Sequence, residues 1–386
     1  GVGPAPRRDA RRRQRERAVS RRFWSPLAQR LQPYVPGEQP QQAQLLKLNT
    51  NESPYPPSPR VIAALRAIDG ERLLRYPDPS SARLREAIAA HHGIDAAQVF
   101  VGNGSDEVLA HAFAALLAGD GELQFPDITY SFYPVWCQLY GVRYRCVPLR
   151  EDFAVAVADF DPAAAAVLLP NPNAPTGRLL PLAAIRELLA ASAQRLVVID
   201  EAYIDFGGHS AVGLVQDFDN LLVVQTLSKS RALAGLRVGL AIGQPGLVEA
   251  LQRVKDSFNS YPVDCVAEAA AVAAYTDDDY FRRCCRQVME QRERLRRGLE
   301  GLDFEVLPSA ANFLFARHRR LPGRPIFEAL RERGIILRRW DRPRIADYLR
   351  ISVGTAAQVT RLLQALAEVL ESGAAQQRSS STLPML

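Results

Sequence analysis

Short apolar runs alternate with segments of helical periodicity over the first two thirds of the chain. Several of these runs have no polar alternation, as expected for strands that helices cover on both faces of a sheet. Segments such as Ser105–Leu117 and Leu182–Ala193 have the spacing of helices. The alternation predicts an α/β fold with a largely parallel sheet. Its predicted strands are Val99–Val101, Glu122–Phe125, Tyr144–Leu149, Ala166–Leu169, Leu196–Ile199, Leu221–Gln225 and Val238–Ile242.

The pattern changes after about Tyr261, where long arginine-rich helical segments replace the regular alternation. Four more strands are predicted there, and a last helix keeps its apolar residues on one face. We therefore expect a second, smaller α+β domain. Its predicted strands are Phe304–Val306, Asn312–Ala316, Ile335–Arg338 and Tyr348–Val353, and the face of the last helix is formed by Val359, Leu362, Leu363, Leu366, Val369 and Leu370.

Composition is that of an ordinary globular protein. The 386 residues are 47% hydrophobic and 23% charged, enough for a sizeable core. No stretch approaches the roughly 18 uncharged apolar residues that a membrane span needs. The five cysteines form no CxxC pair and have no histidine cluster beside them, so we expect reduced packing residues in a cytoplasmic protein and no disulfide framework or metal site.

The net charge of +6 is concentrated at one end of the chain. Residues 1–22 carry nine arginines against Asp9 and Glu16, a net of +7, so the rest of the chain sums to −1. A nearly neutral body gives no electrostatic reason to expect nucleic-acid binding. The leader itself could be a nucleic-acid-binding arm, an import-type presequence or an extension without function, and its composition favours the last.

A lysine follows one of the predicted buried strands. The segment Thr226-Leu227-Ser228-Lys229-Ser230 comes directly after the apolar run, and Arg237 follows eight residues beyond the lysine. Open α/β sheets bind ligands at the carboxyl ends of their strands. Lys229 alone could be a solvated loop residue. Together with Ser228 and Arg237, however, it has the donors of a phosphate-binding loop.

An aspartate ends the neighbouring apolar strand. Asp200 closes the run Val197–Ile199, and Tyr203 follows three residues later. A buried carboxylate is costly unless it is paired. Asp200 could bind the protonated ring nitrogen of a cofactor such as pyridoxal phosphate, with Tyr203 near the ring oxygen. It could equally cap the segment that follows.

Two further segments have weaker signals. Gly102-Asn103-Gly104-Ser105-Asp106 lies between a strand and a helix, where backbone N–H groups and the helix dipole can bind phosphate. Tyr130 follows a strand end and could stack on a flat ring, although by itself it reads as a core residue.

Taken together, these segments resemble fold-type-I aminotransferases that use pyridoxal phosphate (PLP), and more closely the histidinol-phosphate aminotransferase family. The resemblance runs from about Phe23 to about Gly373. TLSKSRALAGLR, which starts at Thr226, looks like the family's lysine segment, and VIDEAYIDF looks like its aspartate strand. LNTNESPYPPSP (Leu48–Pro59) is similar to its N-terminal signature.

The resemblance assigns roles to several side chains. It implies that Lys229 carries PLP as a Schiff base, and that Asp200 and Tyr203 assist catalysis. Tyr34, Arg338 and Arg350 would bind the substrate, and Tyr76 would reach the PLP phosphate of a partner subunit in a homodimer. The implied cofactor contacts are Ser105, Asp106, Tyr130, Asn173, Asp200, Tyr203, Thr226, Ser228, Lys229, Arg237 and Tyr76.

One position departs from the family pattern. Most relatives have asparagine directly before the proline where this chain has Ala174, and that asparagine binds the phenolic oxygen of PLP. Either Asn173 provides this contact from one residue earlier, or Tyr203 provides it alone.

Composition, the change of pattern after about Tyr261 and the resemblance together give the expected domain boundaries. We expect a disordered leader at 1–22, an arm at 23–70 that contributes to the small domain, a large PLP-binding domain at 71–260, a small domain at 261–373 and a disordered tail at 374–386.

The implied reaction is transamination between L-histidinol phosphate and 2-oxoglutarate in histidine biosynthesis, with small-molecule substrates only. An aromatic aminotransferase and a threonine-phosphate decarboxylase would keep the same lysine, aspartate and arginines, so both stay open. A DNA-binding regulator would need a module of about sixty residues before the aminotransferase-like region, where only some twenty are present.

Overall fold

The computed structural model describes residues 21–40 and 44–380. Twelve strands lie within these ranges. They are β1 (Leu46–Lys47), β2 (Val99–Gly102), β3 (Glu122–Pro126), β4 (Arg143–Val147), β5 (Ala166–Pro170), β6 (Leu196–Asp200), β7 (Leu221–Thr226), β8 (Gly239–Gly243), β9 (Phe304–Val306), β10 (Phe313–His318), β11 (Ile335–Ile336) and β12 (Leu349–Ser352).

The same ranges contain twelve α-helices. They are α1 (Pro26–Arg30), α2 (Pro59–Arg66), α3 (Gly70–Leu73), α4 (Ala82–His92), α5 (Gly104–Ala112), α6 (Tyr133–Tyr140), α7 (Leu182–Ala190), α8 (Pro245–Phe258), α9 (Cys265–Tyr275), α10 (Asp278–Gly301), α11 (Gly323–Glu332) and α12 (Ala356–Ser380). A π-helical turn, Phe113–Leu117, extends α5.

The large sheet has seven strands in the order β2-β8-β7-β6-β5-β3-β4. All neighbouring pairs are parallel except those of β8, which is antiparallel to β2 and β7. The predicted α/β class with a largely parallel sheet is confirmed. Each predicted strand of this sheet is present, with ends that differ by no more than two residues.

Helices cover both faces of the large sheet. Because side chains alternate along a strand, Val197 and Ile199 of β6 pack in one apolar cluster and Val198 in the other. The first cluster contains residues of α4, α7 and α9, and the second contains residues of α5, α6 and α8. This double coverage is the reason why the central strands are continuous apolar runs, whereas the edge strand β4 is mostly exposed.

A smaller α+β unit follows in the chain. Strands β12, β10 and β9 form an antiparallel sheet, and the short β1 pairs in parallel with β11. The predicted apolar face of the last helix packs here, with Val359, Leu362 and Leu366 fully buried.

Two predictions concern the ends of the chain, which lie partly outside the described residues. Most of the predicted leader, residues 1–20, lies outside them. At the other end α12 continues to Ser380, past the predicted start of a disordered tail at residue 374, and residues 381–386 lie outside the described range. The boundaries between the domains stay predictions. No helix among the described residues is long and apolar enough to cross a membrane.

Candidate active site

A cavity of about 430 Å³ opens at the carboxyl ends of the central strands, where Pro170 ends β5, Asp200 ends β6 and Thr226 ends β7. This is the edge at which open α/β sheets bind ligands. Residues of the N-terminal arm and of the small α+β unit close the other side. The sequence-predicted residues in its wall are Tyr34, Ser105, Asp106, Tyr130, Asp200, Tyr203, Thr226, Ser228, Lys229, Arg237, Arg338 and Arg350.

Lys229 projects into this cavity. Its Nζ donates a hydrogen bond to the backbone oxygen of Thr50 at 2.9 Å and lies 5.8 Å from the centre of the Tyr203 ring. Desolvation lowers the pKa of Lys229 to about 8; the charge of Arg350 lowers it as well, and Glu52 opposes both. A lysine with this pKa has a useful neutral fraction near neutral pH, as a nucleophilic or basic amine needs.

Asp200 forms the floor of the cavity and is buried. Its Oδ2 accepts a hydrogen bond from the Tyr133 hydroxyl at 2.8 Å, and its Oδ1 accepts a longer one from the Ala202 N–H at 3.3 Å. Burial raises the pKa of Asp200 to about 6, and the Tyr133 hydrogen bond opposes this rise. Within the described part of the chain, Asp200 forms no ion pair with a lysine or an arginine. The site therefore presents a buried carboxylate that a cationic ring nitrogen would stabilise.

The loops beside Lys229 form an anion site. The Arg237 guanidinium donates to Ser228 Oγ at 3.3 Å and to Asp106 Oδ2 at 3.4 Å. Thr226 Oγ1 donates to Ser228 Oγ at 3.0 Å. Ser105 lies in the first turn of α5, whose unpaired N–H groups favour an anion. Serine hydroxyls, a helix N-terminus and a guanidinium together suit a phosphate.

Glycines allow these parts to approach one another. Gly104 has φ +84°, and a Cβ at this position would lie 2.6 Å from Arg237 Nη2. A Cβ at Gly239 of β8 would lie 2.2 Å from the backbone nitrogen of Ser105. Any larger residue at Gly239 would therefore move the helix N-terminus away from the sheet.

Aromatic rings form one wall. The Tyr130 hydroxyl donates to Asp106 Oδ1 at 3.1 Å, and burial raises the pKa of Tyr130 well above its ordinary value. Tyr34 stacks on Phe132 at 4.7 Å and lies 6.0 Å from the Tyr130 ring. Tyr130 therefore lies in the cavity wall beside the anion site, as the sequence predicted.

Two arginines close the cavity on the side of the small unit. Arg338 and Arg350 pair through their backbones, with N···O distances of 3.2 and 2.9 Å. Both guanidinium groups lie near the Trp340 ring, at 5.4 and 5.2 Å from its centre. Neither forms an ion pair within the described ranges, and Arg350 Nε is buried with no hydrogen-bond partner. Arg350 Nη2 donates to Asn49 O at 2.7 Å, so Nε is the donor of Arg350 that an anionic ligand would satisfy.

Two predicted residues are not brought into the cavity. Asn173 is buried, and its side-chain nitrogen donates to Ile128 O at 3.0 Å and to Thr176 Oγ1 at 2.9 Å. It is held in its own loop, whereas Ala174 lies in the cavity wall. Tyr76 is 82% exposed and stacks on Tyr261 at 4.6 Å, outside this cavity.

Sequence reasoning missed three residues of the site. Tyr133 lies in an aromatic helix, where it reads as core. Trp340 carries no motif of its own. Asn51 belongs to the N-terminal signature, and its side chain donates to the Tyr203 hydroxyl at 3.1 Å. The N-terminal signature Leu48–Pro59, which contains Asn51, was the signal in the sequence that could have identified it.

Comparisons with known proteins agree with this geometry. The family model for aminotransferase class I and II matches residues 43–366. Histidinol-phosphate aminotransferase 1 of Bradyrhizobium diazoefficiens is 60% identical over 90% of this chain and 99% of its own length. Histidinol-phosphate aminotransferase 1 of Pseudomonas aeruginosa is 56% identical over 89% of this chain and 98% of its own.

A solved structure is similar over the same region. The crystal structure of histidinol-phosphate aminotransferase from Sinorhizobium meliloti, in complex with pyridoxal 5'-phosphate, superimposes with a TM-score of 0.82 at 27% identity. It covers 91% of this chain, and 98% of that chain is matched. The chain belongs to the class I and II aminotransferases and, among them, to the histidinol-phosphate aminotransferase family.

Proposed function

We propose that this protein transfers an amino group between L-histidinol phosphate and 2-oxoglutarate, with PLP bound through Lys229, and yields imidazole-acetol phosphate and glutamate. The observation that carries the proposal is one cavity in which a lysine of lowered pKa, a buried aspartate and two arginines meet, the arginines having no ion-pair partner among the described residues. Family membership supports the same assignment.

The residues present fit PLP. Ser228, Arg237 and the N-terminus of α5 would hold its phosphate. The buried carboxylate of Asp200 would pair with the ring nitrogen, and the Tyr203 hydroxyl would contact the ring oxygen. Lys229 Nζ, at the centre of the wall, would bond to the aldehyde carbon. When bound, PLP supplies an electron sink that stabilises negative charge at the substrate Cα.

The chain's own residues supply binding and proton transfer. Once the amino donor has replaced it, Lys229 has a free amine near neutral pH, which takes the proton from the donor Cα. The Asp200 carboxylate provides the negative charge at the end of the site where the ring nitrogen of PLP would lie. Tyr34, Arg338 and Arg350 hold the substrate's anionic group, so that the Cα–H bond faces Lys229.

The arginine pair supports a site that binds the carboxylate of one substrate and the phosphate of the other in turn. A guanidinium presents paired donors that fit either anion. Two unneutralised guanidinium groups repel each other, and each lies near the same tryptophan ring. A phosphate dianion relieves this repulsion better than a single carboxylate does.

Product analysis tests the assignment. In the first assay, purified protein is mixed with glutamate and candidate keto acids. In the second, kcat/KM is compared for histidinol phosphate and phenylalanine as amino donors. A clear preference for phenylalanine would make the enzyme an aromatic aminotransferase. Release of CO₂ from threonine phosphate would make it a decarboxylase.

Assembly as a homodimer is part of the proposal. Leu73, Leu74, Tyr76, Phe258 and Tyr261 are 61%, 74%, 82%, 77% and 41% exposed, which is unusual for large apolar side chains on a monomer. Tyr76 stacks on Tyr261 among them, and from this exposed position it would reach the PLP phosphate of a partner's site. Light scattering that shows an active monomer would contradict the dimer.

A cytoplasmic location also belongs to the proposal. All five cysteines are free, and Cys137, Cys284 and Cys285 are buried packing residues. This usage suits a reducing compartment.

A further inference from the structure

Tyr133 is a buried tyrosine whose hydroxyl contacts Asp200. It begins α6, has no exposed surface, and packs edge-on against Phe125 and Tyr130 at 5.7 and 5.6 Å. Its hydroxyl donates to Asp200 Oδ2 at 2.8 Å. A hydroxyl this deep in an apolar cluster needs a partner, and the partner here is the carboxylate of the candidate site.

The two carboxylate oxygens of Asp200 differ in their hydrogen bonds. Oδ2 has the short bond from Tyr133, whereas Oδ1 has only the 3.3 Å contact from the Ala202 N–H. A carboxylate has about four acceptor positions, so Oδ1 keeps the capacity to bind a further donor. Asp200 lies in the cavity wall, where that donor would be the ring nitrogen of the cofactor.

We propose that Tyr133 is a positioning residue that holds the Asp200 carboxylate so that its second oxygen faces the cofactor nitrogen. The inference rests on the proposed PLP chemistry. The residue acts through Asp200 and touches neither substrate nor cofactor. A tyrosine that only fills the core would be replaceable by phenylalanine without a change in the site.

The hydrogen bond from Tyr133 also helps to keep the buried Asp200 carboxylate ionised. Burial raises the pKa of Asp200 to about 6, and the hydrogen bond from Tyr133 is the strongest influence that opposes the rise. The other titratable groups that face Asp200 are Asp106 from α5, Lys229 after β7 and Tyr203 after β6. A hydrogen bond to the ionised form lowers a carboxyl pKa, so its removal shifts Asp200 towards the neutral acid.

Tyr133→Phe isolates the hydroxyl, because the ring stays in place. We expect the pKa of Asp200 in the apoprotein to rise, measured from the infrared band of the protonated carboxyl, with Asp200→Asn identifying that band. We expect the dissociation constant for PLP to increase roughly ten- to a hundredfold, the usual effect of losing a charge-assisted hydrogen bond. The acid limb of the kcat profile should move to higher pH.

Tyr348→Phe is the matched control. Tyr348 is also buried and stacks on Phe315 at 4.7 Å, and neither of the two lines the cavity that contains Asp200. Its PLP affinity and pH profile should equal those of the wild type. If Tyr133→Phe does not fold, difluorotyrosine at position 133 tests the same contact with the opposite sign. Its more acidic hydroxyl strengthens the hydrogen bond and should lower the pKa of Asp200.

The outcomes separate the two proposals. An unchanged pKa of Asp200, PLP affinity and pH profile in Tyr133→Phe would overturn the role of Tyr133, as would an equal change in Tyr348→Phe. A wild-type protein that binds no PLP would overturn the proposed function instead. The titration of Asp200 in the apoprotein needs no cofactor, so it still reports on the Tyr133 contact in that case.

Discussion

Lys229 Nζ donates a hydrogen bond to the backbone oxygen of Thr50 at 2.9 Å, across 179 positions of the chain. The contact joins the loop after β7 to the N-terminal arm. It holds the amine in the middle of the cavity, between the anion site of Ser228 and Arg237 and the arginine pair.

The environment of this amine predicts a pH dependence. The neutral form captures an aldehyde, and the pKa of Lys229 is lowered to about 8. The rate at which apoprotein captures PLP should therefore rise with pH, with a midpoint near pH 8, and level off above it. Stopped-flow absorbance measures this rate. Glu52 raises the pKa of Lys229, so Glu52→Gln should move the inflection to lower pH. An inflection near the ordinary lysine value would show that the amine is not desolvated.

Arg350→Lys tests the anion site. The change keeps the charge and removes the paired donors of the guanidinium, so we expect kcat/KM to fall about ten- to a hundredfold in both half-reactions, equivalent to ~1.5–3 kcal/mol. Arg333→Lys, at an exposed position outside the cavity wall where the guanidinium donates to Ala329 O, is the control and should leave the rates unchanged. A loss restricted to one half-reaction would show that the two substrates do not share Arg350.

Subunit mixing tests the role of Tyr76. Lys229→Ala and Tyr76→Ala proteins should each be impaired as homodimers. If Tyr76 serves the partner's site, a mixed dimer contains one site with both native residues, and activity should return after the two proteins are unfolded and refolded together. No recovery in mixed dimers, verified by two different affinity tags, would place Tyr76 outside the neighbouring site.

The alanine before Pro175 offers a fourth test. Ala174 lies in the cavity wall beside Tyr203, and Asn173 is held by Ile128 and Thr176. Tyr203 would then provide the contact to the ring oxygen alone. Tyr203→Phe should shift the visible absorption of bound PLP and weaken its binding, whereas Asn173→Ala should act mainly on the melting temperature. The reverse pattern would assign the contact to Asn173.

The sequence predicts the large sheet well because most of its strands are buried on both faces and appear as apolar runs, of which Val197–Ile199 is one. The edge strand β4 is mostly exposed. Asp200 is identifiable because a carboxylate that ends such an apolar run is costly unless it is paired. Lys229 is identifiable only together with Ser228 and Arg237, whose donors suit a phosphate. Strand β1 has two residues, too few for any pattern. Tyr133 has the sequence environment of a core residue, and only the folded position of its hydroxyl links it to Asp200.

Asn173 shows why a residue that the sequence indicates for the site can lie outside the cavity. Its type and position in the chain suit a cofactor contact, but the direction of a side chain in an irregular loop depends on local hydrogen bonds such as those to Ile128 and Thr176. Such bonds have no sequence period. The Lys229–Thr50 contact is equally invisible in the sequence, because it forms between distant segments.

The most direct test of the central claim is to reduce the PLP-loaded protein with borohydride and to identify the labelled residue by peptide mass spectrometry. The chain has only three lysines, Lys47, Lys229 and Lys255. Lys47 pairs with Glu52, and Lys255 is buried with its Nζ bonded to Pro79 O at 2.7 Å. We predict one pyridoxyl group per subunit, on Lys229. Label on Lys47 or Lys255, or a fully loaded and active protein without label on Lys229, would contradict the account.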